Sequence, residues 1–210
     1  MSVSPNYRSY ASKMRGMVAA GVDLEADARF IDMLVRPRAR ILDVGCGIGT
    51  AVNALRQRGH EAYGIDPSQE VLDVANDLFD SHWYRKLNGV DLSGSSLEEQ
   101  GLPQEYDCLL MAGNVPAFLD PSELQTALDL ATRILSPGGY LVTGTSTHSR
   151  GGPEDQDKIA RSAATLSLRH RFSNWHLEPF DNDPWCVSVY ASPGTRKPTD
   201  GPDGIFILPS

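Results

Sequence analysis

Two rhythms of apolar residues alternate along this chain. Short, nearly continuous runs recur at residues 41–44, 62–65, 106–112 and 140–145, as in strands buried on both faces. Between them, apolar residues fall three and four apart: Tyr10, Met14 and Met17; Phe30, Met33 and Leu34; Val71, Leu72, Ala75, Leu78 and Phe79; Leu124, Leu128, Ala131 and Leu135. That spacing lines one face of a helix. The punctuation fits the same division. Gly21 ends a first helix over residues 5–20, and Asp23 caps a second that runs through Leu34. Helices over 50–58 and 68–79 follow, and Asp120 caps another that begins at Pro121 and stops at Pro137-Gly-Gly139. A third strand lies between Trp83 and Leu92, and a sixth helix within 153–168. Residues 175–179 and 185–192 read as closing strands.

Few residues join those last two runs, so they are expected to be antiparallel neighbours. Elsewhere strand and helix alternate, which predicts a parallel sheet wound in both directions. The expected fold is therefore α/β, with a doubly wound, mostly parallel, seven-stranded sheet and an antiparallel last strand over 39–192. Two helices over 1–38 precede it. A tail over 193–210, rich in Pro, Gly and Asp, ends Ile205-Phe-Ile-Leu208. Sheets of this kind take ligands outside the carboxyl ends of their strands, where the strand order reverses.

The chemistry concentrates in Ala39-Arg-Ile-Leu-Asp-Val-Gly-Cys-Gly-Ile-Gly-Thr50. A strand runs into a turn where Gly45, Gly47 and Gly49 let a ligand approach bare backbone, and the following helix points unpaired N–H groups at that turn. Asp66 closes the next apolar run, about 20 residues on, where a carboxylate can grip ribose hydroxyls. It can equally cap the helix that begins near Pro67 and Ser68. The turn is not suited to a dinucleotide. Asp43, two residues before the first glycine, would repel a pyrophosphate, and the spacing is G-x-G-x-G instead of G-x-G-x-x-G. The sulfonium and ammonium of S-adenosylmethionine suit Asp43 better.

With these residues in view, the chain resembles the class I S-adenosylmethionine-dependent methyltransferases. The match runs through Leu42-Asp-Val-Gly-Cys-Gly-Ile-Gly49, Gly64-Ile-Asp-Pro-Ser68, Val90-Asp-Leu92, Tyr106-Asp-Cys-Leu-Leu-Met-Ala112 and Leu135-Ser-Pro-Gly-Gly-Tyr-Leu-Val142, in the family's order. The resemblance implies the Rossmann-like methyltransferase fold with N-terminal lid helices. It implies that Asp43 and the turn (Gly45, Cys46, Gly47, Gly49) hold the methionine end. Asp66 with Pro67 would hold the ribose, Asp91 with Leu92 the adenine, and backbone near Ala112 and Gly113 the reactive end. Tyr10 and Arg15 would reach the cofactor from the lid, or serve packing and surface charge. Asn114 would touch cofactor or substrate, or stabilise its turn. Gly113-Asn-Val-Pro116 departs from the Asn/Asp-Pro-Pro-aromatic tetrad of enzymes that methylate amino groups of nucleobases or glutamine. No acidic cluster after the fourth strand suggests a metal.

Methyl transfer from a sulfonium needs an acceptor held in line and water kept out, with a base where the nucleophile arrives protonated. His148, just past the fifth strand, is the base candidate. Two rival readings remain: an NAD(P)-binding oxidoreductase on a similar sheet, and a non-catalytic S-adenosylmethionine-binding protein. The 210 residues, 40% hydrophobic, suffice for one buried domain. A net charge of −8 argues against nucleic acid, leaving a small-molecule acceptor as the expected partner and the oligomeric state open. No apolar run reaches membrane-span length. Three scattered cysteines and no secretory pattern point to the cytoplasm.

Overall fold

The first strand to leave the N-terminal helices becomes the centre of the sheet. In the computed structural model, which describes residues 6–163 and 166–194, β1 (Arg40–Val44) is buried from Ile41 onward. It pairs in parallel with β2 (Glu61–Asp66) on one side and β4 (Tyr106–Met111) on the other. Its side chains alternate between faces. Ile41 joins a core with Phe30, Val52 and Leu55, while Leu42 and Val44 join another with Leu109 and Leu128. β3 (Tyr84–Lys86) extends the sheet beyond β2, and β5 (Leu135–Ser146) beyond β4. β7 (Trp185–Ala191) and β6 (Ser167–Phe172) close it, each antiparallel to its neighbour. The order is β3-β2-β1-β4-β5-β7-β6, so the reversal that opens a ligand crevice falls beside β1.

Helices α1 (Tyr7–Ala19), α2 (Ala26–Leu34), α3 (Thr50–Gln57) and α4 (Gln69–Leu78) precede or link the first strands. α5 (Gly94–Glu99), α6 (Val115–Phe118), α7 (Pro121–Ile134) and α8 (Pro153–Ala163) follow. α7 buries Leu124, Leu128 and Ala131 as its spacing predicts. Its N-terminus carries a capping box in which Asp120 accepts from Glu123 N and Glu123 accepts from Asp120 N. Among the described residues no helix is long and apolar enough to cross a membrane.

Four expectations need correction. The sixth strand is Ser167–Phe172, and residues 175–179 touch the sheet through one bridge, Phe172 to Pro179. β6 is an edge strand with four exposed residues in succession, so it shows no apolar alternation. Trp175, which suggested a strand, instead packs its ring against Phe30 at 5.5 Å. Helix α8 (Pro153–Ala163) falls within its expected span, and Arg171 of β6 bonds its Asp157. At α2 the N-cap is Glu25, because Asp23 is taken up by Glu25 N and the Arg29 guanidinium. Met33, placed on its buried face, is 67% exposed. Finally, β5 begins at Leu135, the Pro-Gly-Gly segment being absorbed by a register shift against β4. The tail over 195–210, including its apolar end, lies outside the described residues.

Candidate functional site

Where β1 ends, the chain turns through three glycines with positive φ, and two of them are required for different reasons. At Gly49 (φ 81°) a Cβ would lie 2.4 Å from the Tyr84 ring, whose hydroxyl donates to Gly49 O at 2.9 Å. That glycine is there for packing. At Gly47 (φ 54°) a Cβ would meet only the Tyr10 ring, 3.1 Å from its hydroxyl, on the cleft side. This glycine keeps space open. The turn is tied down from β2: Gly45 N and Cys46 N donate to Ile65 O, and Gly47 N donates to Asp66 Oδ2 at 3.0 Å. The other Asp66 oxygen accepts Ser68 N at 2.9 Å. One carboxylate thus fastens the glycine turn to the start of α4.

Above the turn lies a cleft of about 530 Å³. Asp43, Gly45 and Gly47 form its floor, and Asp66, Asn88 and Gly89 one end. Met111, Ala112 and Gly113 bring in the end of β4. Tyr7, Tyr10 and Met14 of α1 also line the cleft, as do Asp27, Trp175 and Trp185. Among the described lining residues Asp27, Asp43, Asp66 and Glu123 are acidic, and none is Lys, Arg or His.

The charges in this cleft are poorly compensated. Asp43 is 3% exposed and its Oδ1 has no hydrogen-bond partner. Burial, then the carboxylates of Asp27 and Asp66, push its pKa well above the usual range. Burial raises Asp27 to about 6, against the pull of the Ala28 N–H, which donates to its Oδ1 at 2.7 Å. Asp66 is also raised by burial, its two backbone donors opposing. Burial lifts the Cys46 thiol as well, so it is no ready nucleophile. A site of this kind is short of positive charge.

The cleft brings together Tyr10, Asp43, Gly45, Cys46, Gly47, Asp66, Pro67, Ala112 and Gly113 of the expected set, and leaves others outside. Arg15 pairs with Asp77 at 3.2 Å, both half exposed. Asp91 is an exposed end of a 3-10 turn, and Leu92 is fully buried in the core. Asn88 and Gly89, three residues earlier, line the cleft. Asn114, at φ 68°, accepts Ser146 N at 2.9 Å, a bond that ties the loop after β4 to the end of β5. His148 is exposed and on no wall of the cleft. Asp27, Trp175 and Trp185 were not among the expected residues. Asp27 reads in the sequence as an ordinary acidic first-turn residue, and the tryptophans as members of closing strands.

The description of a methyltransferase domain matches residues 41–139. A ubiquinone biosynthesis O-methyltransferase of Dechloromonas aromatica is 36% identical over 111 residues, 50% of this chain and 44% of that protein. The chain thus spans less than half the length of the relatives of this kind. A TehB-like SAM-dependent methyltransferase from Corynebacterium glutamicum superposes with a TM-score of 0.78 at 28% identity, covering 89% of this chain and 97% of that one. The N-methyltransferase NodS of Bradyrhizobium japonicum, in complex with S-adenosyl-L-homocysteine, shares the fold with a TM-score of 0.60 at 17% identity over 80% of this chain and 85% of its own.

Proposed function

We propose that this chain is a class I S-adenosylmethionine-dependent methyltransferase that binds S-adenosylmethionine in the cleft and passes its methyl group to a small-molecule acceptor. The observation that carries this reading is the orphaned, buried Oδ1 of Asp43 over a glycine turn, in a cleft with acidic residues and no described basic one. A ligand with an ammonium and a sulfonium supplies what those carboxylates lack. A pyrophosphate would add negative charge to an anionic wall, which disfavours the nicotinamide reading.

The residues divide the work by position. Asp43 and the backbone of Gly45 to Gly47 would hold the methionine end. Asp66 keeps lone pairs for ribose hydroxyls after its two backbone bonds. Asn88 and Gly89 take the place first given to Asp91 and Leu92 at the adenine. When bound, the cofactor supplies an electrophilic methyl on a good leaving group. The chain's own task is to orient the acceptor and exclude water, with Tyr7, Tyr10 and Met14 as the cover. A net charge of −8 favours a small acceptor over nucleic acid, and three scattered cysteines favour a cytoplasmic location.

Calorimetry with S-adenosylhomocysteine, S-adenosylmethionine and NAD tests the reading; heat from NAD alone would reverse it. Asp66→Ala removes both the ribose contact and the anchor of the turn. Its affinity for S-adenosylhomocysteine should fall by about 1.5–3 kcal/mol, the worth of charge-assisted hydrogen bonds. Unchanged affinity would show that the ribose lies elsewhere. Hydrogen exchange in residues 10–17 should slow when the same ligand is added, since α1 contributes to the cover. Equal exchange with and without ligand would leave α1 as plain packing.

A further inference from the structure

We propose that the wall of the cleft formed by Asp27, Trp175 and Trp185 is the acceptor site, and that its acceptor is a small amine. The amine docks as its ammonium against Asp27 and the indole rings, and Asp27 takes its proton. This rests on reading the cleft as the S-adenosylmethionine site and names the substrate class of that site.

The placement comes from packing. Phe30 lies one turn beyond Asp27 on α2, so the two side chains share a face. The Trp175 ring stands edge-on to Phe30 at 5.5 Å, which brings the indole to Asp27's side of the helix. Both indoles lie over Gly144 of β5, where a Cβ would come within 2.5 Å of Trp175 and 3.1 Å of Trp185. Gly144 therefore lets two aromatic rings reach the carboxyl edge of the sheet together. Asp43, with its unpartnered oxygen, lines the same space, and Asp27 is the leading charge acting on it. On the proposed reading, Asp43 makes this the methionine side of the cleft.

Charge then selects the acceptor. A carboxylate or an oxyanion would enter among four acidic side chains with no described Lys, Arg or His to meet it. A phenol would have to become an anion there. An ammonium enters favourably, against carboxylates and indole faces, and deprotonation leaves a neutral nucleophile. Burial keeps Asp27 more basic than a solvated carboxylate, with a pKa of about 6, which suits a proton acceptor at neutral pH.

The step balances. R–NH₃⁺ gives one proton to the Asp27 carboxylate, leaving R–NH₂ and a neutral carboxylic acid. The nitrogen lone pair forms the N–C bond to the methyl group while the C–S bond breaks. Its electron pair stays on sulfur, and the sulfonium becomes a thioether. The product leaves as R–NH₂–CH₃⁺, and the Asp27 proton passes to water.

The test titrates the full chain, saturated with S-adenosylhomocysteine, with benzylamine, p-cresol and benzoate. Benzylamine should bind at least about tenfold tighter than either of the others, and its affinity should fall as the pH drops and Asp27 protonates. Asp27→Asn, likewise saturated with S-adenosylhomocysteine, should weaken benzylamine at least about tenfold and remove that pH dependence. Asp27→Glu should restore part of the loss. Trp185→Leu, with its fold checked by thermal melting, should weaken benzylamine more than p-cresol. A preference for p-cresol or benzoate overturns the proposal. So does failure of benzylamine to bind the loaded protein, or Asp27→Asn binding it like the parent. If S-adenosylhomocysteine itself does not bind, the cofactor reading beneath it falls, and that result is distinct from the others.

Discussion

Gly47→Val is expected to abolish cofactor binding while the sheet stays folded. Gly47 sits at φ 54°, and the space a side chain would enter is bounded by Tyr10, which is 46% exposed on α1. An L-residue in the left-handed region costs about 1–2 kcal/mol, more for a branched one. A domain stable by about 5–15 kcal/mol tolerates that. The Gly47 N–H also keeps its bond to Asp66, because the backbone path need not change. The branched methyl groups, however, would occupy the cleft floor beside Asp43. Calorimetry should show no binding at concentrations about a hundredfold above the parent's Kd, a loss of roughly 2.8 kcal/mol or more. Gly47→Ala should fall between the two, since its single methyl meets a tyrosine able to give way. A folded Gly47→Val protein that binds S-adenosylhomocysteine like the parent would place the ligand away from this turn.

The same turn explains why the middle of the fold was readable. From 39 to 66 each local signal points the same way: apolar runs buried on both faces, glycines where φ is positive, a carboxylate at the end of β2. The family's motif order adds to this, and the doubly wound sheet follows. What was misread lies where side chains serve tertiary contacts instead of a periodic face. β6 hides because an edge strand with Arg169, His170 and Arg171 has little apolar pattern, one of them being spent on Asp157. Residues 175–179 imitate a strand because Trp175 is apolar for the sake of Phe30 and the cleft.

The candidate site divides in the same way. Asp43, Gly47 and Asp66 are adjacent in the sequence to the elements that position them, and motif spacing finds them. Asp27 comes from a helix 16 positions before Asp43, and Trp185 from the last strand. Only the crossing of chain segments reveals that they face one cleft. Asp91 shows the limit of motif carry-over. The 3-10 turn Gly89–Asp91 leaves Asp91 in solvent and Leu92 in the core, so the cleft meets Asn88 and Gly89. His148, next to the carboxyl edge in sequence, is exposed and lines no part of the cleft.

Asp43→Asn should raise the stability of the ligand-free protein at pH 7.5 and weaken cofactor binding in the same variant. A structural carboxylate would move both quantities down. In the ligand-free fold Asp43, Asp27 and Asp66 all have pKa values above their unfolded values. The folded state then holds protons more tightly than the unfolded one. The stability this contributes is complete below about pH 4, where unfolded carboxylates protonate, and is lost as the pH rises through the folded values. For Asp27, raised from 3.8 to about 6, the loss is at most roughly 3 kcal/mol, at about 1.4 kcal/mol per unit. Asp43 adds to it at higher pH. Carboxylates with lowered values, such as Asp23 at about 2, lose their contribution only below pH 4, so the two windows do not overlap. Thermal melts of the ligand-free parent should therefore fall between pH 4.5 and 7.5. Asp43→Asn should flatten that slope and be the more stable protein at pH 7.5, because its amide is neutral in the buried site without taking up a proton. S-adenosylhomocysteine, bringing an ammonium to Asp43, should flatten the parent's slope and bind the variant about 10–100-fold more weakly, the worth of one charge-assisted hydrogen bond. A parent more stable at pH 7.5 than at 5, or a variant that is less stable yet binds as well, would mean that Asp43 finds its compensation inside the fold and not in a cationic ligand.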